Sequence, residues 1–127
     1  MIHLVTGGSG SGKSAYAEQC ILDFGGTRRV YIATMQPFGA EGQARIARHR
    51  KMRAAKKFST IECYTNLKEV ELEPGSDVLL ECMSNLTANE IFDPSGAGKA
   101  RTEEEILAGV SRLANQALSL IHISEPT

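Results

Sequence analysis

The chain has 127 residues, of which 42% are apolar and 23% charged, and its formal net charge at pH 7 is −1. This length suits one compact domain and is too short for two. The near-neutral charge gives no reason to expect nucleic acid or an anionic membrane as a partner, and no apolar run is long enough to span a bilayer. The N-terminus has no signal-peptide pattern, so we expect a soluble, cytoplasmic protein.

The three cysteines, Cys20, Cys63 and Cys82, are far apart in the sequence and stand in apolar surroundings. An odd number of cysteines at such spacing is typical neither of a disulfide framework nor of a metal site. The sequence therefore predicts reduced, buried thiols.

Strand and helix signals alternate along the chain. The pattern predicts strands to about residue 5 and at 29–33, 58–64 and 78–80, with helices at 13–24 and at about 42–57. A segment rich in Pro, Gly and Ser follows at 92–99 and is predicted to be a loop. Short apolar strands separated by helices predict an α/β domain with a mostly parallel sheet flanked by helices.

The last predicted helix begins at Thr102, with Glu105 in the spacing of a capping box. Its apolar residues recur at steps of three and four, which predicts one buried face. They are Ile106, Leu107, Val110, Leu113, Ala114, Ala117 and Leu118.

The residues that follow, 120–127, carry no periodicity that continues this helix. They resemble a translated cloning or sequencing-adapter tail more than the natural end of a domain. We therefore expect a single domain over residues 1–118, incomplete at its C-terminus, and a non-native tail at 119–127.

The segment between the first strand and the first helix matches the phosphate-loop pattern G-x-x-x-x-G-K-[ST]. Glycines let the backbone turn its N–H groups toward phosphates, and the N-terminus of the following helix adds a partial positive charge. Lys13 is expected to contact the β- and γ-phosphates as a catalytic residue, and the Ser14 hydroxyl to bind Mg²⁺. The predicted nucleoside triphosphate site consists of Gly7, Gly8, Ser9, Gly10, Ser11, Gly12, Lys13 and Ser14.

Two other interpretations compete with this one. A Gly/Ser-rich turn can carry a lysine by coincidence, but here a strand precedes the motif and an amphipathic helix follows it. Residues 10–15 also read G-x-G-x-x-A, as in dinucleotide folds, which place an acid at the end of the second strand. That strand ends here in Ala33, Thr34 and Met35, so the dinucleotide interpretation fails.

The predicted helix at 42–57 is strongly basic. Its residues 45–57 hold seven of the chain's 14 Lys and Arg residues and no acid. The run fits a solvated face, or a nucleic-acid patch without the interleaved aromatic residues that stack on bases. It also fits catalysis, because Arg45, His49 and Arg53 are four residues apart and share one helical face. The cations favour a neutral imidazole that attacks an α-phosphate, and the residues alone leave the three interpretations open.

Polar residues end the predicted strands. P-loop enzymes hold Mg²⁺ with a carboxylate at the end of a neighbouring strand, and Glu81 is the best candidate. The alternative is that Glu81 is only a capping or surface carboxylate. Glu62 belongs either to the nucleotide site or to an edge strand. Thr34 ends the second strand at the edge where ligands gather in open α/β sheets, so we expect it in the nucleotide site.

Together these segments resemble the bifunctional adenosylcobinamide kinase/adenosylcobinamide-phosphate guanylyltransferases of cobalamin biosynthesis. The phosphate loop is common to many proteins, whereas its combination with an R-I-x-x-H-R helix is much more specific. The matching segments are Leu4-Val5-Thr6-Gly7-Gly8, Ser11-Gly12-Lys13-Ser14, Tyr31-Ile32-Ala33-Thr34, Arg45-Ile46-x-x-His49-Arg50-x-x-Arg53, Thr60-x-Glu62, Leu79-Leu80-Glu81-Cys82, Asn85-Leu86 and Asn89-Glu90-x-Phe92.

The resemblance implies a P-loop NTPase fold, assembled as a homo-oligomer. It implies an enzyme that phosphorylates adenosylcobinamide with ATP or GTP and then transfers GMP from GTP to adenosylcobinamide phosphate, giving adenosylcobinamide-GDP. His49 falls on the family's GMP-carrying histidine. The residues that fall on the family's nucleotide or metal contacts are Arg50, Lys51, Met52, Arg53, Glu62 and Glu81.

Two features depart from the family pattern. Ala54 and Phe58 stand where the family usually has proline and tryptophan. Family members also continue for several dozen residues through further strands. We therefore expect the last strands of the sheet to be missing here, which puts the activity of this fragment by itself in doubt.

Two other classes of function stay open. One is a P-loop kinase or NTPase that acts on another small molecule, with the basic helix as a phosphate lid. The other is a regulatory nucleotide-binding module whose basic helix docks a partner. Consumption of GTP that depends on cobinamide separates the family's function from both.

Overall fold

The computed structural model describes residues 2–7, 12–36 and 39–124, with the side chain of Arg45 excepted. Its strands are β1 (Ile2–Thr6), β2 (Arg28–Ala33), β3 (Phe58–Glu62), β4 (Ser76–Glu81) and β5 (Ser119–Ser124). Its helices are α1 (Lys13–Asp23), α2 (Gly39–Ala55), α3 (Met83–Phe92) and α4 (Thr102–Gln116), with a short 3-10 helix at Leu67–Glu69. Within these ranges, no helix is long and apolar enough to cross a membrane.

The strands form one sheet in the order β1-β5-β4-β2-β3, and every neighbouring pair is parallel. Parallel neighbours need crossover connections, which the helices supply here. The sheet and its flanking helices confirm the predicted α/β class. Because the strands run in one direction, their carboxyl ends meet at the same edge of the sheet.

Each face of the sheet has its own apolar cluster. One cluster lies between the sheet and α1, and the other lies between the sheet, α3 and α4. Adjacent residues of β4 alternate between them, since Leu79 belongs to the first cluster and Leu80 to the second. Residues 76–80 are all buried, as expected of a central strand that is covered on both faces.

Strand β5 differs from the sequence prediction, which set a domain boundary at residue 118. Ser119–Ser124 pair with β1 on one side and with β4 on the other, and Leu120, Ile121 and Ile123 are buried. A six-residue strand that follows a helix closely and alternates polar and apolar residues over its last four positions only gives a weak signal. The native or non-native origin of this segment stays a prediction, and residues 125–127 lie outside the described part of the chain.

Helix α3 has no counterpart among the predicted helices. Its buried side chains are Leu86 and Glu90, which are too few to give a ten-residue segment a helical periodicity. The Glu90 carboxylate accepts hydrogen bonds from the backbone N–H groups of Asn66 and Ala97, each at 3.0 Å. It therefore connects the loop after β3 with the loop after α3.

The start of α4 has different contacts from those predicted. Thr102 does not cap the helix; its hydroxyl donates to the carbonyl oxygen of Gly98 at 2.7 Å. Glu105 forms ion pairs with Lys68 and Arg101 instead of closing a capping box. The capping-box prediction is therefore wrong, because both side chains have partners outside the first turn's backbone.

The apolar face of α4 is narrower than predicted. Leu113 is buried, and Ile106, Val110, Ala114 and Ala117 pack against the same cluster. Leu107 and Leu118, which the periodicity placed on this face, are exposed.

None of the three cysteines, all within the described ranges, forms a disulfide; Cys63 and Cys82 are buried as predicted, while Cys20 is half-buried. Burial, with a smaller contribution from the Glu90 carboxylate, raises the pKa of the Cys63 thiol to about 11. The reactive species is the thiolate, so this shift slows alkylation at neutral pH.

We expect Cys63 in the folded protein to resist iodoacetamide at pH 8. Its rate should rise about tenfold with each pH unit toward its pKa, because the thiolate fraction rises in that proportion. Alkylated fractions of the three thiols can be followed by mass spectrometry, with denatured protein as the control in which every cysteine reacts. Alkylation of Cys63 as fast as Cys20 in folded protein at pH 8 would contradict the burial described here.

Candidate functional site

The carboxyl ends of β2, β3 and β4 border an open cleft with a volume of about 320 Å³. The register places Ala33 of β2 opposite Glu62 on β3 and opposite Glu81 on β4. The lining residues come from these strands, the loop after β2, helix α2 and the start of α3: Tyr31, Ala33, Met35, Ile46, His49, Arg53, Glu62, Glu81, Cys82 and Asn85.

The described part of the phosphate loop lies at the carboxyl end of β1. Gly7, Gly12 and Lys13 line a second cavity of about 520 Å³ there. Gly12 has a φ of 82°, a left-handed conformation that glycine adopts without steric cost, and α1 begins at once with the buried Lys13. This is the arrangement in which a helix N-terminus binds phosphate. The predicted loop residues outside the described ranges are Gly8, Ser9, Gly10 and Ser11.

A hydrogen bond connects the phosphate loop with the cleft. The Ser14 hydroxyl, in the first turn of α1, donates to Oε1 of Glu81 at 2.8 Å. These two residues are the predicted Mg²⁺ ligands, and the structure brings them together from separate elements. A hydroxyl and a carboxylate are oxygen ligands of the kind that Mg²⁺ prefers, and Mg²⁺ in phosphate sites commonly takes only one or two carboxylates from the protein.

Thr34 is fully buried between β2 and β4. Its hydroxyl donates to the carbonyl oxygen of Cys82 and accepts from the Cys82 N–H, both at 2.8 Å. Its own N–H donates to the carbonyl oxygen of Glu81 at 3.1 Å, and its carbonyl accepts from Nδ2 of Asn89 at 2.8 Å. Thr34 therefore holds the backbone beside Glu81, and its predicted nucleotide contact stays a prediction.

Helix α2 contacts the sheet through an arginine. The central carbon of the Arg53 guanidinium lies 3.5 Å from the ring centroid of Tyr31, and both side chains are buried. Burial raises the pKa of the Tyr31 hydroxyl, and the adjacent Glu81 carboxylate, which accepts its hydrogen bond, raises that pKa further against the opposing charge of Arg53. The phenol is therefore protonated at physiological pH and serves as a donor to Glu81.

His49 lies one helical turn before Arg53, and both side chains line the cleft. His49 is exposed, so its imidazole is accessible to a ligand in the cleft. The side chain of Arg45, the third member of the predicted row, lies outside what the structure describes. The predicted placement of the imidazole between two guanidinium groups therefore stays a prediction on the Arg45 side.

Arg50 forms an ion pair with Glu62 at the outer rim of the cleft, where both side chains are exposed. Exposed ion pairs contribute about 0–1 kcal/mol, so an anionic ligand can replace the carboxylate at little cost. Lys51 and Met52 are exposed on α2 and do not belong to the cleft lining. The nucleotide contacts of Arg50, Lys51 and Met52 stay predictions.

Several lining residues were not proposed as site residues from the sequence: Tyr31, Met35, Ile46, Cys82 and Asn85. A signal existed for Tyr31, which lies two residues before Ala33 and so shares its face of the strand. A signal also existed for Ile46, which lies three residues before His49 on the helix. Met35 follows a strand end, where neither periodicity applies, and Asn85 lies in α3, which the sequence did not predict as a helix.

A family model described as "Cobinamide kinase / cobinamide phosphate guanyltransferase" matches residues 3–127. The chain belongs to this family. The match confirms the family resemblance carried by the motifs, and the parallel sheet with its flanking helices agrees with the P-loop NTPase-like fold of the family. The family description names two group transfers, so this is a family of transferases.

Two curated relatives are both named bifunctional adenosylcobalamin biosynthesis protein CobU. The protein from Escherichia coli (strain K12) is 40% identical over 99 residues, which cover 76% of this chain and 53% of the relative. The protein from Salmonella typhimurium (strain LT2) is 39% identical over 99 residues, with the same two shares covered. The chain thus spans about half the length of the curated relatives it matches.

We expect Thr34→Val to be less stable than Thr34→Ser. Valine leaves the buried N–H and carbonyl of Cys82 without their hydroxyl partner, which costs about 1–3 kcal/mol, whereas serine keeps the hydroxyl and gives up one methyl group, worth about 0.8 kcal/mol. Urea denaturation followed by circular dichroism measures both variants against the original protein. A valine variant as stable as the serine variant would show that these hydrogen bonds do not hold the strand ends together.

Proposed function

We propose that this chain forms the nucleotide-binding part of an enzyme with two successive activities. The first phosphorylates adenosylcobinamide with ATP or GTP, and the second transfers GMP from GTP to adenosylcobinamide phosphate, giving adenosylcobinamide-GDP. The observation that carries the proposal is the shared cleft of His49 and Glu81, because Glu81 is also bonded to Ser14 of the phosphate loop. The nucleophile thus lines the same cleft as the acid that contacts the first turn of α1, while the phosphate loop lines the neighbouring cavity.

In guanylyl transfer, a ring nitrogen of His49 attacks the α-phosphorus of GTP. The imidazole lone pair forms the N–P bond, and the bond from the α-phosphorus to the bridging oxygen breaks, so that its electron pair leaves with pyrophosphate. A phosphate oxygen of adenosylcobinamide phosphate then attacks the same phosphorus and releases His49. The buried guanidinium of Arg53, in the same cleft, supplies positive charge beside the α-phosphate while charge develops there.

Phosphorylation of adenosylcobinamide needs no covalent histidine. The aminopropanol hydroxyl of the substrate attacks the γ-phosphorus, and the nucleoside diphosphate leaves. Lys13 and the N-terminus of α1 hold the β- and γ-phosphates in this step, as positive groups that stabilise the departing charge. The two activities therefore share the phosphate loop and differ in their need for His49.

Mg²⁺ belongs to this proposal because Ser14 and Glu81 fit it. Their oxygens lie within hydrogen-bond distance of each other at the start of α1, next to the position expected for the β- and γ-phosphates. When bound, Mg²⁺ neutralises phosphate charge and orients the polyphosphate. The contribution of the chain is to hold the hydroxyl and the carboxylate together, with Thr34 fixing the backbone on the far side of Glu81.

We expect Lys13→Ala to weaken the binding of GTP and ATP roughly ten- to a hundredfold, since a charge-assisted contact to phosphate is worth about 1.5–3 kcal/mol. Isothermal titration calorimetry with Mg²⁺ present measures the effect on protein extended to the length of its relatives. Lys99→Ala, in an exposed loop, is the matched control and should bind as the original protein does. Equal affinities in both variants would remove the basis for the phosphate-loop assignment.

We expect α-labelled GTP to leave its label on His49. A phosphoramidate is stable to base and labile to acid, so the label should survive alkali, disappear in acid and be absent from His49→Ala. Arg48→Ala, an exposed neighbour on α2, is the matched control and should keep the label. His49→Ala should still phosphorylate adenosylcobinamide.

Three results would contradict the proposed guanylyl transfer. They are full guanylyl transfer by His49→Ala, a label that maps to another residue, and GTP consumption that does not respond to adenosylcobinamide. The last of these would favour a P-loop kinase or NTPase with another substrate, or a regulatory nucleotide-binding module.

A further inference from the structure

Helix α2 is attached to the sheet in an unusual way. A surface helix ordinarily packs through a stripe of apolar side chains. Helix α2 has 17 residues, and among those whose side chains the structure describes, Arg53 alone is buried. The helix that carries His49 therefore packs on the sheet through a buried, charged side chain.

The group that Arg53 packs against is the aromatic ring of Tyr31. The Arg53 guanidinium lies over the ring face at 3.5 Å, and its Nε is buried with no hydrogen-bond partner among the described residues. A desolvated guanidinium is costly unless something offsets the loss of water, and an aromatic face does so by cation–π attraction. The ring thus supplies stabilisation that no described hydrogen bond supplies to that nitrogen.

Among the described residues, exposed polar contacts also attach this helix to the rest of the fold. Arg50 pairs with Glu62 of β3, and just past the C-terminal end Lys56 pairs with Glu18 of α1 at 2.8 Å. The carbonyl of Lys56 accepts from Arg29 at 3.1 Å. Such contacts at the surface contribute little, so the buried contact of this helix is that of its arginine with the Tyr31 ring.

Tyr31 itself belongs to a rigid part of the fold. It lies on β2, where it pairs with Thr60 of β3 and Leu79 of β4, and its side chain is 5% exposed. Tyr31 also lines the cleft together with Glu81, whose carboxylate is bonded to Ser14. A single side chain therefore touches the helix of His49 and the acid that adjoins the phosphate loop.

We propose that the ring of Tyr31 is a positioning group for guanylyl transfer. By stacking against Arg53, the ring fixes α2 and thereby holds His49, one helical turn away, at the cleft. This inference rests on the proposed function, because it assigns Tyr31 to the step that needs His49. The inference predicts unequal effects on the two activities, whereas a purely structural role of Tyr31 predicts equal effects. Between variants that both lack the Tyr31 hydroxyl, loss of the ring impairs guanylylation of His49 more than phosphorylation of adenosylcobinamide.

The test compares Tyr31→Phe with Tyr31→Leu in protein extended to the length of its relatives. Both variants lack the hydroxyl that contacts Glu81, so the difference between them isolates the ring. At saturating GTP, the rate of labelling from α-labelled GTP should be roughly ten- to thirtyfold lower in the leucine variant than in the phenylalanine variant, the loss expected for a desolvated cation–π contact. Their rates of adenosylcobinamide phosphorylation, and their affinities for GTP, should differ less than threefold.

Rates are expressed per folded molecule, counted from the stoichiometry of GTP binding. Tyr31→Met is a second aliphatic variant, since methionine adapts to irregular cavities where leucine does not fit. Tyr31→Trp retains an aromatic face and should restore labelling to within a few-fold of the phenylalanine variant.

Other results overturn the inference in distinguishable ways. Equal labelling of the phenylalanine, leucine and methionine variants, with labelling of the original protein intact, would remove the role of Tyr31 and leave the proposed function standing. An equal fall of guanylylation and phosphorylation in the aliphatic variants would reduce Tyr31 to a core residue. No label on His49 in the original protein would remove the proposed function itself.

Discussion

The parallel pairing of β2 with β3 and β4 decides where the acids of the cleft lie. Ala33 pairs with Glu62 on one side and with Glu81 on the other, so the backbone of each acid lies one strand spacing, about 4.8 Å, from that of Ala33, and the three side chains share one face. The methyl group of Ala33 leaves the space between them open. A register slip of one residue would turn these side chains to the opposite face, and in β4 it would also exchange buried residues between the two apolar clusters.

Much of this arrangement could be predicted from the sequence because it depends on local patterns. Gly12 needs a positive φ, Lys13 and Ser14 follow it at the start of a helix, and these requirements are written in consecutive residues. Glu81 is recognisable because it directly follows the apolar run Val78-Leu79-Leu80. The parallel sheet then brings the two segments together, and the hydrogen bond from Ser14 to Glu81 is the result.

The parts that could not be predicted depend on contacts between distant residues. Thr34 was placed in the nucleotide site because it ends a strand, yet its hydroxyl is bonded to the backbone of Cys82, 48 residues away. The role of Glu90 in tying two loops together has no local signature either. In each case a buried polar group finds its partner across the fold, and no periodicity within one segment records such a partner.

Helix α2 shows why a charge run is ambiguous in sequence. Its basic residues fit a solvated face, and most of those described are exposed, while Arg53 is buried against an aromatic ring. Sequence periodicity places Arg45 and Arg53 on the face of His49, but it contains no information on what that face contacts. Only the position of Tyr31 on the neighbouring strand distinguishes Arg53 from the other basic residues of α2.

Strand β5 sets a distance within the site. In the described sheet, β5 lies between β1 and β4 and pairs with both. Its width therefore sets the distance between the end of β1, where the phosphate loop begins, and the strand of Glu81. The ladder that keeps this width is built from backbone groups, which every residue except proline provides in full. A proline or a deletion among positions 119–124 would interrupt this ladder directly, whereas other substitutions there act through the packing of the buried Leu120, Ile121 and Ile123.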